Sequence, residues 1–114
     1  MTVSIWHNPR CSKSRATLAL LEERGITPDV RLYLIEPPNA DELRAVLAIL
    51  GIGPHDLVRR GEAAYKAAGL NKSSPDDAVI AAMLAEPKLI ERPIVFAGGK
   101  ARIGRPPEAV LEII

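Results

Sequence analysis

Cys11 is the only cysteine in the 114-residue chain, and Arg10, Lys13 and Arg15 stand beside it. A free thiol titrates near ~8.5 and is mostly protonated at neutral pH. Adjacent cations and the amides of a helix N-terminus both favour the thiolate, so this segment describes a nucleophile with a depressed pKa. The same residues also fit a plainer description, a small buried thiol under a solvated basic face. His7 lies upstream, where it could couple to the thiol's titration, contact an oxyanion, or act as a hydrogen-bonded structural group at a strand end. His55, between Pro54 and Asp56, has no inferable partner. Two histidines and one cysteine make a poor ligand set, and no metal is expected.

The surrounding pattern says what must position Cys11. Val3 to Trp6 alternate as a short strand and stop at Asn8-Pro9. From Ser12 the chain favours helix as far as Arg24, with Gly25 as its stop, which places Cys11 at a helix N-terminus. An apolar run over residues 30–34 reads as a second strand, parallel to the first across a βαβ unit. Pro37-Pro38 breaks the chain. Asn39 with Glu42 then forms a capping-box start for a helix bearing Leu43, Val46, Leu47 and Leu50 and ended by Gly51.

Three further short helices are expected: after Gly53-Pro54, around Glu62 to Ala68, and from Ser74-Pro75 with Asp76 and Asp77 in the first turn. Residues 94–97 and 100–103 flank Gly98-Gly99 as a β-hairpin. A final helix opened by Pro106-Pro107 would pack through Val110, Leu111 and Ile114. The order is βαβ, a helical block, then a hairpin and a helix. It describes an α/β, thioredoxin-like four-stranded mixed sheet in one domain over residues 1–114, with a helical insertion at roughly residues 37–90.

Composition removes several classes. Hydrophobic residues are 47% and charged residues 25%, which excludes disorder and low complexity. The net charge of +1 supplies no global field for nucleic acid or an anionic membrane, so any anion site must be local. No apolar run is long enough for a signal peptide or a bilayer span, and a lone thiol suits a reducing compartment, the cytoplasm. Nothing in the apolar pattern signals a dimer, and a monomer is expected.

Five blocks carry a further signal. The run His7-Asn8-Pro9-Arg10-Cys11-Ser12-Lys13-Ser14-Arg15 closely resembles the active-site segment of the glutaredoxin-linked arsenate reductase (ArsC) family. The resemblance continues through Tyr33-Leu34-Ile35-Glu36-Pro37-Pro38, Asp56-Leu57-Val58-Arg59-Arg60, Glu91-Arg92-Pro93-Ile94-Val95 and Ile103-Gly104-Arg105-Pro106-Pro107-Glu108, in family order over essentially the whole chain.

That resemblance implies Cys11 as nucleophile and Arg59, Arg92 and Arg105 as the arginines that converge on thiol and oxyanion, with Arg60 as a neighbouring candidate for the role of Arg59. His7, Ser14 and Pro93 would support them, and the Arg92–Pro93 bond would be cis. Guanidinium forks suit a tetrahedral oxyanion carrying about two charges, such as arsenate, better than lysine does. With no second cysteine, the electrons must come from outside. The resemblance implies glutathione as co-substrate, glutaredoxin as partner, and no tightly bound cofactor. Ser12-Lys13 stands where the plasmid-borne enzymes have Gly-Thr, as in a chromosomal branch of the family. Lys13 would add charge near the thiolate and assist anion binding, while its larger side chain would narrow the pocket mouth.

Two other classes share these features. Spx-type regulators of RNA polymerase have this fold, but their redox switch needs a C-x-x-C pair and here the fourth position is Ser14. A monothiol glutathione-dependent oxidoreductase would use Cys11 alone and need no arsenate.

Overall fold

The computed structural model describes residues 2–114. By internal contacts the chain forms two compact units, one comprising residues up to Glu36 together with Arg92–Ile114, the other Pro37–Glu91.

The first unit is built on a sheet. Strands β1 (Val3–Trp6), β2 (Asp29–Arg31), β3 (Ile94–Ala97) and β4 (Lys100–Ile103) lie in the order β2-β1-β3-β4. β1 pairs parallel with β2 and antiparallel with β3, and β3 pairs antiparallel with β4. This mixed sheet is the thioredoxin-like arrangement expected from the order of elements. Side chains alternate across it with period two. Val3, Ile5, Val95 and Ala97 join Leu21, Val110 and Ile113 in a buried cluster on one face. On the other face Trp6 stacks with Tyr33 at a ring-centroid distance of 6.4 Å and meets Phe96 at a tilt, with centroids 5.6 Å apart. Gly98 and Gly99 make the β3–β4 turn with φ of 56° and 78°. Two left-handed central residues match the twist of the strands, which is why this turn is Gly-Gly.

Helix α1 (Ser12–Glu23) follows β1 after a short loop and packs on the C-terminal segment. Two expectations need correction. The second strand ends at Arg31 rather than reaching residue 34, because the amides of Ile35 and Glu36 both donate to the carbonyl of Leu32 and turn the backbone out of the sheet. The last element, Pro107–Ile113, is a 3-10 helix rather than an α-helix, and it buries Val110 and Ile113, with Leu111 only half-buried. Three residues per turn bring positions i and i+3 onto one face, which selects that pair.

The second unit is helical: α2 (Ala40–Leu50), α3 (Pro54–Leu57), α4 (Ala63–Ala67), α5 (Asp76–Ala85) and a 3-10 turn at Pro87–Leu89. The capping box of α2 is formed, with the Glu42 amide donating to Asn39 Oδ1 at 2.8 Å and the Asn39 amide donating to Glu42 Oε1 at 3.1 Å. α2, α3 and the 3-10 turn pack against α5, which buries Val79, Ile80 and Met83. An isolated antiparallel bridge between Val58 and Ile90, invisible in the sequence pattern, ties the end of α3 to the end of the block.

Candidate active site

The loop between β1 and α1 is shaped by Asn8. Its carbonyl accepts from the Cys11 amide at 3.0 Å, and its Oδ1 accepts from the Arg10 amide at 3.0 Å. These bonds turn the chain so that Cys11 becomes the N-cap of α1, in extended backbone conformation. Nothing in the residue pattern singled out Asn8 for this work, although Asn before Pro is a turn signal.

Ser14 is fully buried one turn into the helix. Its hydroxyl accepts from the Asn8 amide at 3.0 Å and lies 2.6 Å from Nδ1 of His7, itself only 6% exposed. Burial first, and then the nearby Arg15 charge, hold the His7 pKa below its ordinary value, so the imidazole is neutral at pH 7. His7 and Ser14 therefore clamp the end of β1 to the first turn of α1.

Cys11 is half-buried. Burial alone would raise its pKa, but four influences outweigh it: the Ser14 amide, a hydrogen bond from the Arg92 side chain, the Lys13 amide and the Arg105 charge bring the thiol below its ordinary value. The amides are those a helix leaves unpaired at its N-terminus. Arg105 donates from Nη2 to Sγ at 3.5 Å and from Nε to the carbonyl of Arg92 at 2.9 Å, so it faces the thiol and holds the segment carrying the second guanidinium. The Arg92–Pro93 bond is cis, as the resemblance implies, and the Arg105–Pro106 bond is cis as well.

The cations that act on the thiol are thus remote in sequence. Arg15, one of those flanking Cys11, instead gives its guanidinium to the carbonyl of Pro9 at 2.9 Å, and the side chains of Arg10 and Lys13 are exposed. Gly104 enforces the approach of β4's end to the site. A Cβ there would lie 2.5 Å from Thr17 Oγ1 and 2.7 Å from Pro93 Cγ, so only glycine fits.

Arg59 belongs to the helical unit. Its Nε donates to Glu62 at 3.2 Å and its Nη1 to Glu91 at 2.6 Å. Burial works against its charge, but Glu91 and then Glu62 outweigh that and hold its pKa above the ordinary value. The i,i+3 spacing could have suggested Glu62, whereas Glu91, 32 positions away, could not be foreseen. Arg60 is exposed, with Nη2 3.5 Å from the carbonyl of His55. His55 itself bonds through Nε2 to the carbonyl of Ser74 at 2.8 Å, a structural role.

Among the described residues no group of three or more His, Cys, Asp or Glu side chains comes together to hold a metal ion. Also among them, no helix is long and apolar enough to cross a membrane.

Known proteins match this arrangement along its length. The chain is 57% identical to the uncharacterized protein YfgD of Escherichia coli K12, over 98% of this chain and 96% of that one. It is 47% identical to a protein named arsenate reductase from Haemophilus influenzae, over 100% of both. The solved structure of an arsenate reductase from Vibrio cholerae superposes with a TM-score of 0.95 at 52% identity, covering 100% of this chain and 98% of that one. The profile of the ArsC family matches residues 6–113, which include the thiol loop, the cis-proline and both arginines that face Cys11, and the chain belongs to the ArsC family.

Proposed function

We propose that the protein reduces arsenate to arsenite in the cytoplasm, acting as a monomer. The observation that carries this reading is the Cys11 thiol, held below its ordinary pKa at the N-terminus of α1 with the Arg92 and Arg105 guanidiniums upon it. Two fixed guanidiniums beside a thiolate make a seat for a tetrahedral oxyanion whose central atom the sulfur then attacks. The names of relatives that match the whole chain support arsenate as that oxyanion.

In the first step the Cys11 thiolate forms a bond to arsenic and a hydroxyl group leaves as water, its proton supplied by solvent. Arg92 and Arg105 stabilise the charge on the remaining oxygens. The family resemblance implies Arg59 as a third anion ligand and Pro93 as a proline beside the thiol.

In the second step glutathione thiolate attacks Sγ of the adduct. An S–S bond forms, the S–As bond breaks, and its electron pair passes to arsenic, taking it from the pentavalent to the trivalent state. Arsenite leaves. Glutaredoxin then attacks the glutathione sulfur of the mixed disulfide and returns Cys11 as a thiolate. No tightly bound cofactor enters this scheme.

The test is arsenate-dependent oxidation of NADPH coupled through glutathione, glutaredoxin and glutathione reductase. Turnover by the wild type that is abolished in Cys11→Ser is the expected result. Arsenate-independent cleavage of glutathione mixed disulfides at a comparable rate would reassign the protein as a monothiol oxidoreductase, and retention of RNA polymerase without turnover would reassign it as a regulator.

A further inference from the structure

His7, Asn8 and Ser14 shape the loop that carries the thiol, while Thr17, fully buried one turn further along α1, faces the end of β4 instead. A hydroxyl buried to that degree needs a partner. The Thr17 hydroxyl donates to the Lys13 carbonyl at 2.8 Å, and this bond holds χ1. So held, both branches of the side chain lie against Gly104, where a Cβ would meet Oγ1 at 2.5 Å and Cγ2 at 3.2 Å. With no Cβ there, the Gly104 backbone rests directly on Thr17.

The segment that rests on Thr17 also brings a guanidinium to the thiol. The Gly104 amide donates to the Pro93 carbonyl at 2.9 Å, and the Arg105 amide donates to the Ile103 carbonyl at 2.9 Å, a tight turn centred on Gly104. Arg105 leaves that turn with Nε on the Arg92 carbonyl at 2.9 Å and Nη2 on Cys11 Sγ at 3.5 Å. Residues 104 and 105 therefore touch α1 at two places, Thr17 and Cys11. At about 1.5 Å per residue these lie roughly 9 Å apart along the helix axis. The helix fixes that spacing, so a shift of Gly104 on Thr17 moves the guanidinium on the thiol.

We propose that Thr17 is a positioning residue, whose side chain is the stop that sets how closely the Arg105 guanidinium approaches the Cys11 thiol. The stop has to be a hydroxyl. A methyl in the place of Oγ1 would lie 2.8 Å from the Lys13 carbonyl oxygen, where carbon-to-oxygen contacts need about 3.3 Å or more. Valine must therefore crowd that carbonyl or rotate and empty the place on which Gly104 rests, and either way the seat changes. Serine keeps the oxygen and gives up only Cγ2, the more distant of the two contacts. The proposal deepens the reading of the site as an oxyanion reductase, resting on that reading for turnover and on geometry alone for the thiol.

The test reads the thiol directly. Ultraviolet absorbance of the thiolate gives the pH midpoint of Cys11, the only cysteine in the chain, in wild type, Thr17→Ser, Thr17→Val, Arg105→Ala and the Thr17→Val, Arg105→Ala double variant. The Arg105 charge favours the thiolate together with Arg92 and the amides of Ser14 and Lys13. Thr17→Val should raise the midpoint in the same direction as Arg105→Ala and by less. In the Arg105→Ala background it should add nothing, because the two substitutions act through one contact. Thr17→Ser should keep the wild-type midpoint while lowering the thermal unfolding temperature by roughly 4 °C, the loss of one buried methyl.

In the coupled assay Thr17→Val should lower kcat/KM for arsenate about tenfold, and Thr17→Ser should stay within about twofold of wild type. An unchanged midpoint in Thr17→Val, a shift that persists without Arg105, or midpoints that merely follow thermal stability would overturn the role of Thr17. The expected midpoints in a protein without arsenate turnover would uphold that role and sink the arsenate reading instead.

Discussion

The Nη2 of Arg105 stands 3.5 Å from Sγ of Cys11, a contact between residues 94 positions apart. Arg105 also donates to the carbonyl of Arg92, so one side chain both charges the thiol's surroundings and fixes the backbone beside it. The first prediction concerns this pair. The pH midpoint for alkylation of Cys11 should lie below that of a free thiol and should rise in Arg105→Ala and in Arg92→Ala, since each removes an influence that lowers it. An unchanged midpoint in both variants would remove the arginines from the thiol's chemistry. The linkage has a definite sign. A group that titrates lower folded than unfolded adds stability in full above the unfolded thiol pKa of about 8.5, and that contribution fades as pH falls through the folded pKa.

Ser14→Ala should destabilise the protein by about 2 kcal/mol, because the lost hydroxyl leaves the Asn8 amide and the His7 ring without their buried partner. Urea unfolding at pH 7 measures it. A change within experimental error would show that the clamp between β1 and α1 is replaceable.

His7 predicts a pH effect of its own. Its pKa is lowered by burial and then by Arg15, so the unfolded chain takes up a proton more readily than the folded one. Stability is complete above the unfolded value of about 6.5 and is lost as pH falls from there toward the folded pKa. Urea midpoints between pH 7.5 and pH 5 should decline in the wild type, and the part of the decline due to this residue should vanish in His7→Gln.

Gly104→Ala should cost about 1 to 3 kcal/mol, since its Cβ would collide with Thr17 and Pro93, neither of which is the far end of a flexible chain. The same variant should slow alkylation of Cys11 if relief of the collision moves the Arg105 segment. Thermal unfolding and the alkylation rate are read together.

Within the helical unit, Arg59→Ala should cost about 1 to 2 kcal/mol, because the half-buried Glu62 and Glu91 lose their shared cation. Arg60→Ala, an exposed change, should remain within about 0.5 kcal/mol. Equal effects in urea would mean that the pairing of Arg59 adds nothing to the fold.

Local signals were legible wherever a few neighbouring residues decide the outcome. The Asn39–Glu42 capping box, the Gly98-Gly99 turn and the start of α1 behind Cys11 depend on short-range geometry, so residue types alone specify them. The end of β2 is not legible in residue types, since Leu32 and Leu34 suit a strand while the carbonyl of Leu32 recruits the amides of Ile35 and Glu36 into a turn. At the final segment the prolines announced a helix, but its 3-10 form follows from packing Val110 and Ile113 into the cluster under the sheet.

Residue types alone were enough to single out the candidate thiol: one cysteine, Cys11, at a helix N-terminus, with no second cysteine beside it. Which charges reach that thiol was decided by tertiary structure. Arg10, Lys13 and Arg15 are its neighbours along the chain, yet Arg92 and Arg105 are the side chains that act on it, because β1 pairs with β3 and a strand pairing joins residues without regard to their separation in sequence. The role of Arg15 shows the same rule in reverse. It is near in number, but its guanidinium is taken by the Pro9 carbonyl, and what it changes is the proton affinity of His7.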